Sequence, residues 1–278
     1  MESGDPTAEV VLRPVTALSF RDLAEVWRHR ELLWILALRD VRVRYKQAAL
    51  GAAWALLQPL AQMVIFTLLF HRLAGIDGDL GVPYPVFCFS GLTVWLLFAG
   101  GLTRSSESLV ESANLVTKVY FPRVIVPLAA TVAALLDFAV AFALLLVMML
   151  GYRLPIHATI LLAPVIGACA ALCAIALGLW TSALNMKYRD VRYALPFFIQ
   201  LLIYLSPVFY PSSLIPPRYR LLIALNPMAA VIDSFRAALF GGPLPLERLV
   251  FGLLFVLAVA LVGFLWFRRV ERTFADQV

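Results

Sequence analysis

Long apolar runs separated by short charged segments dominate this chain. Charge-free runs occur at Gln47–Phe70, Leu80–Thr103, Leu154–Met186, Tyr193–Pro217 and Leu249–Phe267. A sixth run, Val124–Tyr152, is interrupted only by Asp137. Crossing the hydrocarbon core takes about 20 apolar residues, so each run is long enough. Pro155, His157 and Pro164 assign the first residues of the Leu154–Met186 run to an entry loop. Pro207 or Pro211 ends the Tyr193–Pro217 run. The pattern predicts an all-α integral membrane fold with six transmembrane helices, at about 47–70, 82–103, 124–150, 158–186, 193–210 and 249–267.

Three segments fit neither a span nor a simple loop. Before the first span, Phe20–Lys46 reads as an amphipathic helix lying on the membrane, or docked on a partner protein. Trp34, Leu38, Val41 and Tyr45 recur at spacings of four, three and four, while Arg39, Arg42 and Lys46 fall on other faces. Between the second and third spans, Arg104–Arg123 is polar but keeps helix-forming character. Pro122 disfavours helix at Phe121, so a short helix should turn there and expose Lys118, Tyr120 and Phe121 to the cytoplasm. The third segment, Pro211–Arg248, holds six prolines yet stays apolar between them. Asn226 can cap a helix, Pro227 suits its first turn and Gly241 can end it in the left-handed conformation. Met228–Phe240 is then a helix of about 20 Å, too short to span. With Arg218–Leu225 it predicts a broken re-entrant hairpin, tolerated only against protein or a water-filled cavity.

Composition narrows the class. Of 278 residues, 62% are hydrophobic and 14% charged, against roughly 45–50% and about 25% in soluble domains. That excludes an ordinary soluble enzyme, a disordered tail and a disulfide-stapled secreted module. Cys88, Cys169 and Cys173 lie inside apolar runs and read as small packing residues rather than metal ligands. The net charge of +6 needs no nucleic acid. Near the spans, fourteen Lys and Arg fall on the side of the termini and only six on the other, with Lys187, Arg189 and Arg192 inside one six-residue loop. The positive-inside rule makes both termini cytoplasmic. The chain then divides into a cytoplasmic segment at 1–46, a transmembrane domain at 47–270 and a cytoplasmic tail at 271–278. No signal peptide is expected at the N-terminus.

Much enzymatic chemistry is missing. The sequence has no phosphate loop and no Gly-Lys pair at all, no zinc-binding His-Glu helix motif and no G-x-S-x-G elbow. A chain of this kind should carry no catalytic residue, metal or cofactor site of its own. Asp137, central in the third span, is costly in lipid and marks either function or an interhelical hydrogen bond. A proton-coupled carrier would want ionisable partners, and no second ionisable group is expected at mid-membrane depth. Two polar-aromatic stripes are more informative. Trp54, Gln58, Gln62 and Phe66 are each four apart on the first span. Tyr193, Phe197, Gln200 and Tyr204 recur at four, three and four on the fifth. Aromatic faces with amides suit a sugar polymer, although Gln and Tyr also serve as interhelical glue.

Four stretches carry a family resemblance. The first runs from Arg39-Asp40 through Arg44-Tyr45-Lys46 to Leu50-Gly51, Trp54 and Gln58-Pro59. The second is Asn114-Leu115-Val116 with Lys118, Phe121-Pro122-Arg123 and Pro127. The third is Arg189-Asp190-Val191, and the fourth Leu225-Asn226-Pro227-Met228 with Phe235-Arg236. Together they resemble the membrane subunits of type-2 ABC exporters that move lipid-linked polysaccharides such as O-antigen, capsule and teichoic acid. The resemblance covers about Glu31 to Arg269.

It implies a half-transporter of the bacterial inner membrane that pairs with an identical copy and with two ATPase subunits, which would hold ATP and Mg. Asn114–Arg123 would be the coupling helix, with Asn114, Lys118, Tyr120, Phe121, Pro122 and Arg123 at the ATPase, and Arg189 and Asp190 in a second contact. The first and fifth spans would line the path. Arg39, Arg42, Arg44 and Lys46 would draw the lipid-linked diphosphate to a cytoplasmic mouth beside the membrane lipids. Asn226, Pro227, Asp233, Arg236 and Gly241 would belong to an outer gate, where Arg236 should contact another part of the gate or the second copy rather than Asp233. The alternatives are an exporter of another lipid or drug, a proton-coupled carrier centred on Asp137, and a membrane-embedded transferase.

Overall fold

The computed structural model describes residues 25–46, 53–119, 121–219 and 223–271. All of the described regular structure is helical. In chain order the principal helices are α1 (Arg30–Lys46), α2 (Ala53–Phe66), α3 (Tyr84–Glu111), α4 (Ala113–Lys118), α5 (Ile125–Gly151), α6 (Ala163–Lys187), α7 (Val191–Tyr204), α8 (Pro227–Phe240) and α9 (Leu246–Val270). A π-helical turn, Thr67–Leu73, continues α2, and a 3₁₀ turn, Ala158–Leu162, leads into α6. Among the described residues, five stretches are long and apolar enough to cross a membrane: Leu56–Leu73, Tyr84–Glu111, Ile125–Gly151, Ala158–Lys187 and Leu246–Val270. The span expected at 193–210 is represented by α7, which stops at Tyr204. Fourteen residues reach about 21 Å at 1.5 Å per residue, short of the ~30 Å core. The expected segment before Glu25, residues 47–52 of the first span, Arg220 and the tail beyond Glu271 lie outside the described residues.

The core sits on α3. Lipid offers no hydrophobic drive between helices, so close packing through small residues does the work. α3 supplies Ser90, Gly91, Gly101, Ser105, Ser106 and Ser108 on its buried surface, and packs chiefly against α5 and α6. At Gly178 of α6 a Cβ would lie 2.3 Å from Ser105 Oγ, so only glycine permits this approach. Ser90, Thr93, Thr103 and Ser108 donate back to carbonyls of α3 itself, Thr93 to Phe89 O at 2.8 Å, whereas the buried Ser105 and Ser106 hydroxyls find no hydrogen-bond partner among the described residues. Asn185 of α6 donates across to Ser106 O at 2.9 Å. α9 packs on α6, and α8 is wedged among α3, α6 and α9. α2 and α7 lean on this core from outside and keep most of their surface exposed. Each contains an internal proline, Pro59 and Pro196, which removes one ladder hydrogen bond.

α1 lies against the start of α5, and its contact face differs from the expected stripe. Leu36 and Ala37 are buried, with Leu33 beside them, whereas Trp34 and Leu38 are exposed. The helix is apolar on two sides, and small Ala37 rather than a bulky residue makes the close approach. Periodicity weighted by bulk selects the outward side. The Tyr45 side chain lies outside the described ones.

Candidate functional site

The two polar-aromatic stripes lie on the two least buried helices. On α2, Trp54 and Gln58 are exposed while Gln62 and Phe66 are half-buried. On α7, Tyr193, Phe197, Gln200 and Tyr204 are all exposed, Tyr193 by 79%, and Ile199 is the buried position. Amide and phenol groups gain nothing from acyl chains, so such faces suit a second protein surface or a polar solute better than lipid. The stripes converge on a residue outside the expected set, Phe209. Its buried ring stacks on Phe66 with centroids 3.6 Å apart and lies 6.2 Å from Tyr204. The one signal pointing to it is an aromatic between Pro207 and Pro211 in an apolar stretch.

The irregular segment 205–212 carrying Phe209 is pinned by α8 and α3. Tyr84 donates to Phe209 O at 2.7 Å. Asn226 accepts from Met228 N–H at 3.0 Å, capping α8, and its amide donates to Ser206 Oγ at 2.9 Å. Pro227 takes the first helical position, and Gly241 ends the helix at φ 74°, a conformation in which a Cβ would be strained. Ser212 donates to both carboxylate oxygens of Asp233, at 2.7 and 2.9 Å.

Arg236 is buried to 4% exposure. It donates from Nη1 to Pro207 O at 2.6 Å and from Nη2 to Val208 O at 2.7 Å and Phe87 O at 3.2 Å. Its guanidinium carbon sits 3.6 Å from the centre of the Phe87 ring. So Asp233 bonds Ser212 and Arg236 bonds the 207–208 carbonyls, instead of the two pairing along the helix. Tyr84 begins α3 and Glu111 ends it, 28 residues or about 42 Å away, so this assembly and α4 occupy opposite ends of the molecule.

At the α4 end one expectation fails. Asn114 and Lys118 are exposed, and Tyr120 lies outside the described residues, but Phe121 is 6% exposed, not open to the cytoplasm. It packs in a cluster with Leu36 of α1, Leu109 of α3, Ile125 of α5 and Phe267 of α9. The proline turn forms as expected, and it swings Phe121 inward because α1 and α9 together build an apolar slot there. Pro122 is buried beside it. Arg123 is also drawn inward, donating from its backbone N–H to Glu271 Oε1 at 2.9 Å and from Nη1 to Glu271 O at 2.6 Å. Arg268 reaches Glu271 at 3.2 Å and Glu25 at 3.6 Å. Arg189 and Asp190 are exposed in the turn between α6 and α7. Of the expected mouth residues, Arg39 is paired with Asp40 at 2.9 Å and donates to Ser112 Oγ at 3.3 Å, and Arg42 is exposed. The side chains of Arg44 and Lys46 lie outside the described ones.

A second expectation fails inside the bundle. Asp137 of α5 does have an ionisable partner, forming a half-buried ion pair with Arg104 of α3. Counting charge-free runs puts Arg104 in a loop, but α3 runs on through it to Glu111 without a break. A long Arg side chain then reaches back along the helix toward the membrane interior. Among the described residues no group of His, Cys, Asp and Glu could hold a metal ion.

Comparison with known proteins gives a consistent match. The family model described as ABC-2 type transporter matches residues 31–240. The chain is 27% identical over 248 residues to the O-antigen export system permease protein RfbA of Klebsiella pneumoniae, covering 88% of this chain and 94% of that one. It is 29% identical over 228 residues to a protein of the same name from Myxococcus xanthus, covering 81% and 86%. It is 25% identical over 217 residues to the polysialic acid transport protein KpsM of Escherichia coli, covering 74% and 80%.

Proposed function

The chain belongs to the ABC-2 type transporter family, and from that premise we propose that it is the membrane half of a bacterial polysaccharide exporter, driven by a separate ATPase. Its relatives named for O-antigen export and polysialic acid transport support a glycan substrate. The observation that carries the reading is the polar-aromatic face of α7, exposed at Tyr193, Phe197, Gln200 and Tyr204, with Trp54 and Gln58 exposed on α2. In a homodimer, two such pairs of helices would enclose a path in which aromatic faces stack on sugar rings and amides exchange hydroxyl hydrogen bonds. The segment 205–212, held by α8, would close that path at one end.

The partner ATPase, carrying ATP and Mg, would engage the exposed part of α4 at Asn114 and Lys118, with Arg189 and Asp190 beside it. Movement there would pass through Phe121 and Arg123 into α1 and α9. The polyprenyl-type diphosphate anchor of the glycan would meet Arg42 and its neighbours at the inner bacterial membrane. The Arg104–Asp137 pair favours the exporter over the proton-coupled carrier, since it gives Asp137 a role in joining α3 to α5. The test is complementation. In a bacterium lacking the chain, its return should restore surface polysaccharide only together with its ATPase. Restoration without any ATPase would overturn the proposal.

A further inference from the structure

A cavity of about 480 Å³ lies between residues 212–215 and 223–224, α8 and the start of α9. Its walls carry opposite charges, Asp233 from α8 and Arg248 from α9. Ser212 holds both oxygens of Asp233, so the carboxylate has one orientation. Burial pushes this carboxyl above the usual carboxylate range, and the Ser212 hydrogen bond works the other way. Among the described residues neither Asp233 nor Arg248 makes an ion pair, although Arg236 and Arg248 both act on Asp233 from longer range. A confined carboxylate wanting a cation and a guanidinium wanting an anion, on the walls of one cavity, together complement a zwitterion.

The surroundings narrow the ligand. Phe251, Phe255 and Val262 follow Arg248 at helical spacing on the same face of α9, and each is more than half exposed. An arginine at headgroup level above an exposed apolar stripe is the arrangement a phospholipid meets at a protein surface. α9 packs on α6 and α8, whereas α2 and α7 lean on α3, so this stripe belongs to a different side from the polar-aromatic faces. Among the described residues that line the cavity, the apolar ones are aliphatic, with Ile215, Ile223 and Ala230, and none is aromatic. A quaternary ammonium is held best by aromatic rings, and a sugar ring would want the same surface. A primary ammonium, with three N–H donors, instead suits a carboxylate.

We propose that this cavity binds the headgroup of a zwitterionic phospholipid bearing a primary ammonium, of phosphatidylethanolamine chemistry. The ammonium pairs with Asp233, the phosphate with Arg248, and an acyl chain lies along Phe251 and Phe255. The site is independent of the transport reading and stands or falls without it.

The experiment adds dioleoyl phosphatidylethanolamine, phosphatidylcholine or phosphatidylglycerol to the purified chain in detergent and measures retained lipid by native mass spectrometry. The wild type should retain the ethanolamine lipid about tenfold better than the choline lipid, as one charge-assisted hydrogen bond gives. Asp233→Asn should bring that ratio close to one. Arg248→Gln, at an exposed position that folding tolerates, should weaken all three lipids by roughly tenfold. Equal retention of the ethanolamine and choline lipids by the wild type would overturn the proposal, as would a preference unchanged in Asp233→Asn. Binding of a short oligosaccharide that Asp233→Asn removes would put a carbohydrate there instead.

Discussion

Replacing Arg236 with methionine keeps most of the side-chain volume and removes the donors. Two backbone carbonyls, those of Pro207 and Val208, then lose their partner at 2.6 and 2.7 Å, while Phe87 O keeps the Ser90 hydroxyl at 2.7 Å. A buried acceptor left unmet costs about 1–3 kcal/mol. Removing a buried charge gives part of this back, because its desolvation no longer has to be met. Taking the low end for each of the two carbonyls, the net loss is about 2 kcal/mol. It should be local first: hydrogen exchange across 205–212 should rise before that of α3, since α8 and α3 retain their own packing. Gly91→Ala perturbs the same contact without touching the charge. Its Cβ would fall 2.6 Å from Arg236 Nη2 and 2.8 Å from Val208 O, and should cost about 1–3 kcal/mol by overpacking. Equilibrium unfolding in mixed micelles, with exchange mapped by mass spectrometry, reads both variants. If Arg236→Met unfolds within about 0.5 kcal/mol of wild type and 205–212 exchanges unchanged, the arginine does not hold this segment.

At the opposite end, Phe121→Ala should destabilise the chain by about 3–5 kcal/mol because the ring is buried against α1, α3 and α9, whereas Lys118→Glu should weaken ATPase co-purification at unchanged stability; the reverse outcome would restore Phe121 to the surface. For Arg104 and Asp137, each single change to Met or Leu should cost more than the double change, giving a coupling of at least about 1 kcal/mol in a double-mutant cycle; additive losses would mean the two charges act apart. Tyr204→Ala should lower surface polysaccharide more than it lowers thermal stability, since an exposed side chain has little packing to lose. Intact export beside a markedly lower melting point would make Tyr204 a packing residue.

What could be read from the chain follows from which signals are local. The limits of α8 were legible because Asn226, Pro227 and Gly241 each act within a turn of the residue they affect. The apolar runs gave the long helices for the same reason, since span length is a property of consecutive residues. The sides of α1 were not legible. Trp34 and Leu38 dominate any periodicity, yet Leu36 and Ala37 make the contact, because closeness of approach depends on the neighbouring helix. Phe121 turned inward for a reason held elsewhere in the chain: α1 and α9 supply its slot. The Arg104–Asp137 pair was hidden by a rule that ends a span at its first charge, although a helix needs no such stop and an arginine side chain can reach several ångströms along it. Arg236 was only half legible. An intrahelical pair with Asp233 is too weak to justify a buried arginine, at about 0.2–0.5 kcal/mol, but which carbonyls it meets is set by the fold of 205–212.

The account rests on glycan export by this chain when an ATPase drives it. The direct measurement is movement of a fluorescent lipid-linked polysaccharide across proteoliposomes holding the chain with its ATPase, the chain alone, or the ATPase alone. Translocation is expected only with both proteins and ATP, lowered in the ATPase-bound Tyr204→Ala variant and indifferent to an imposed proton gradient. Translocation by the chain alone under a proton gradient, abolished by Asp137→Asn, would contradict it.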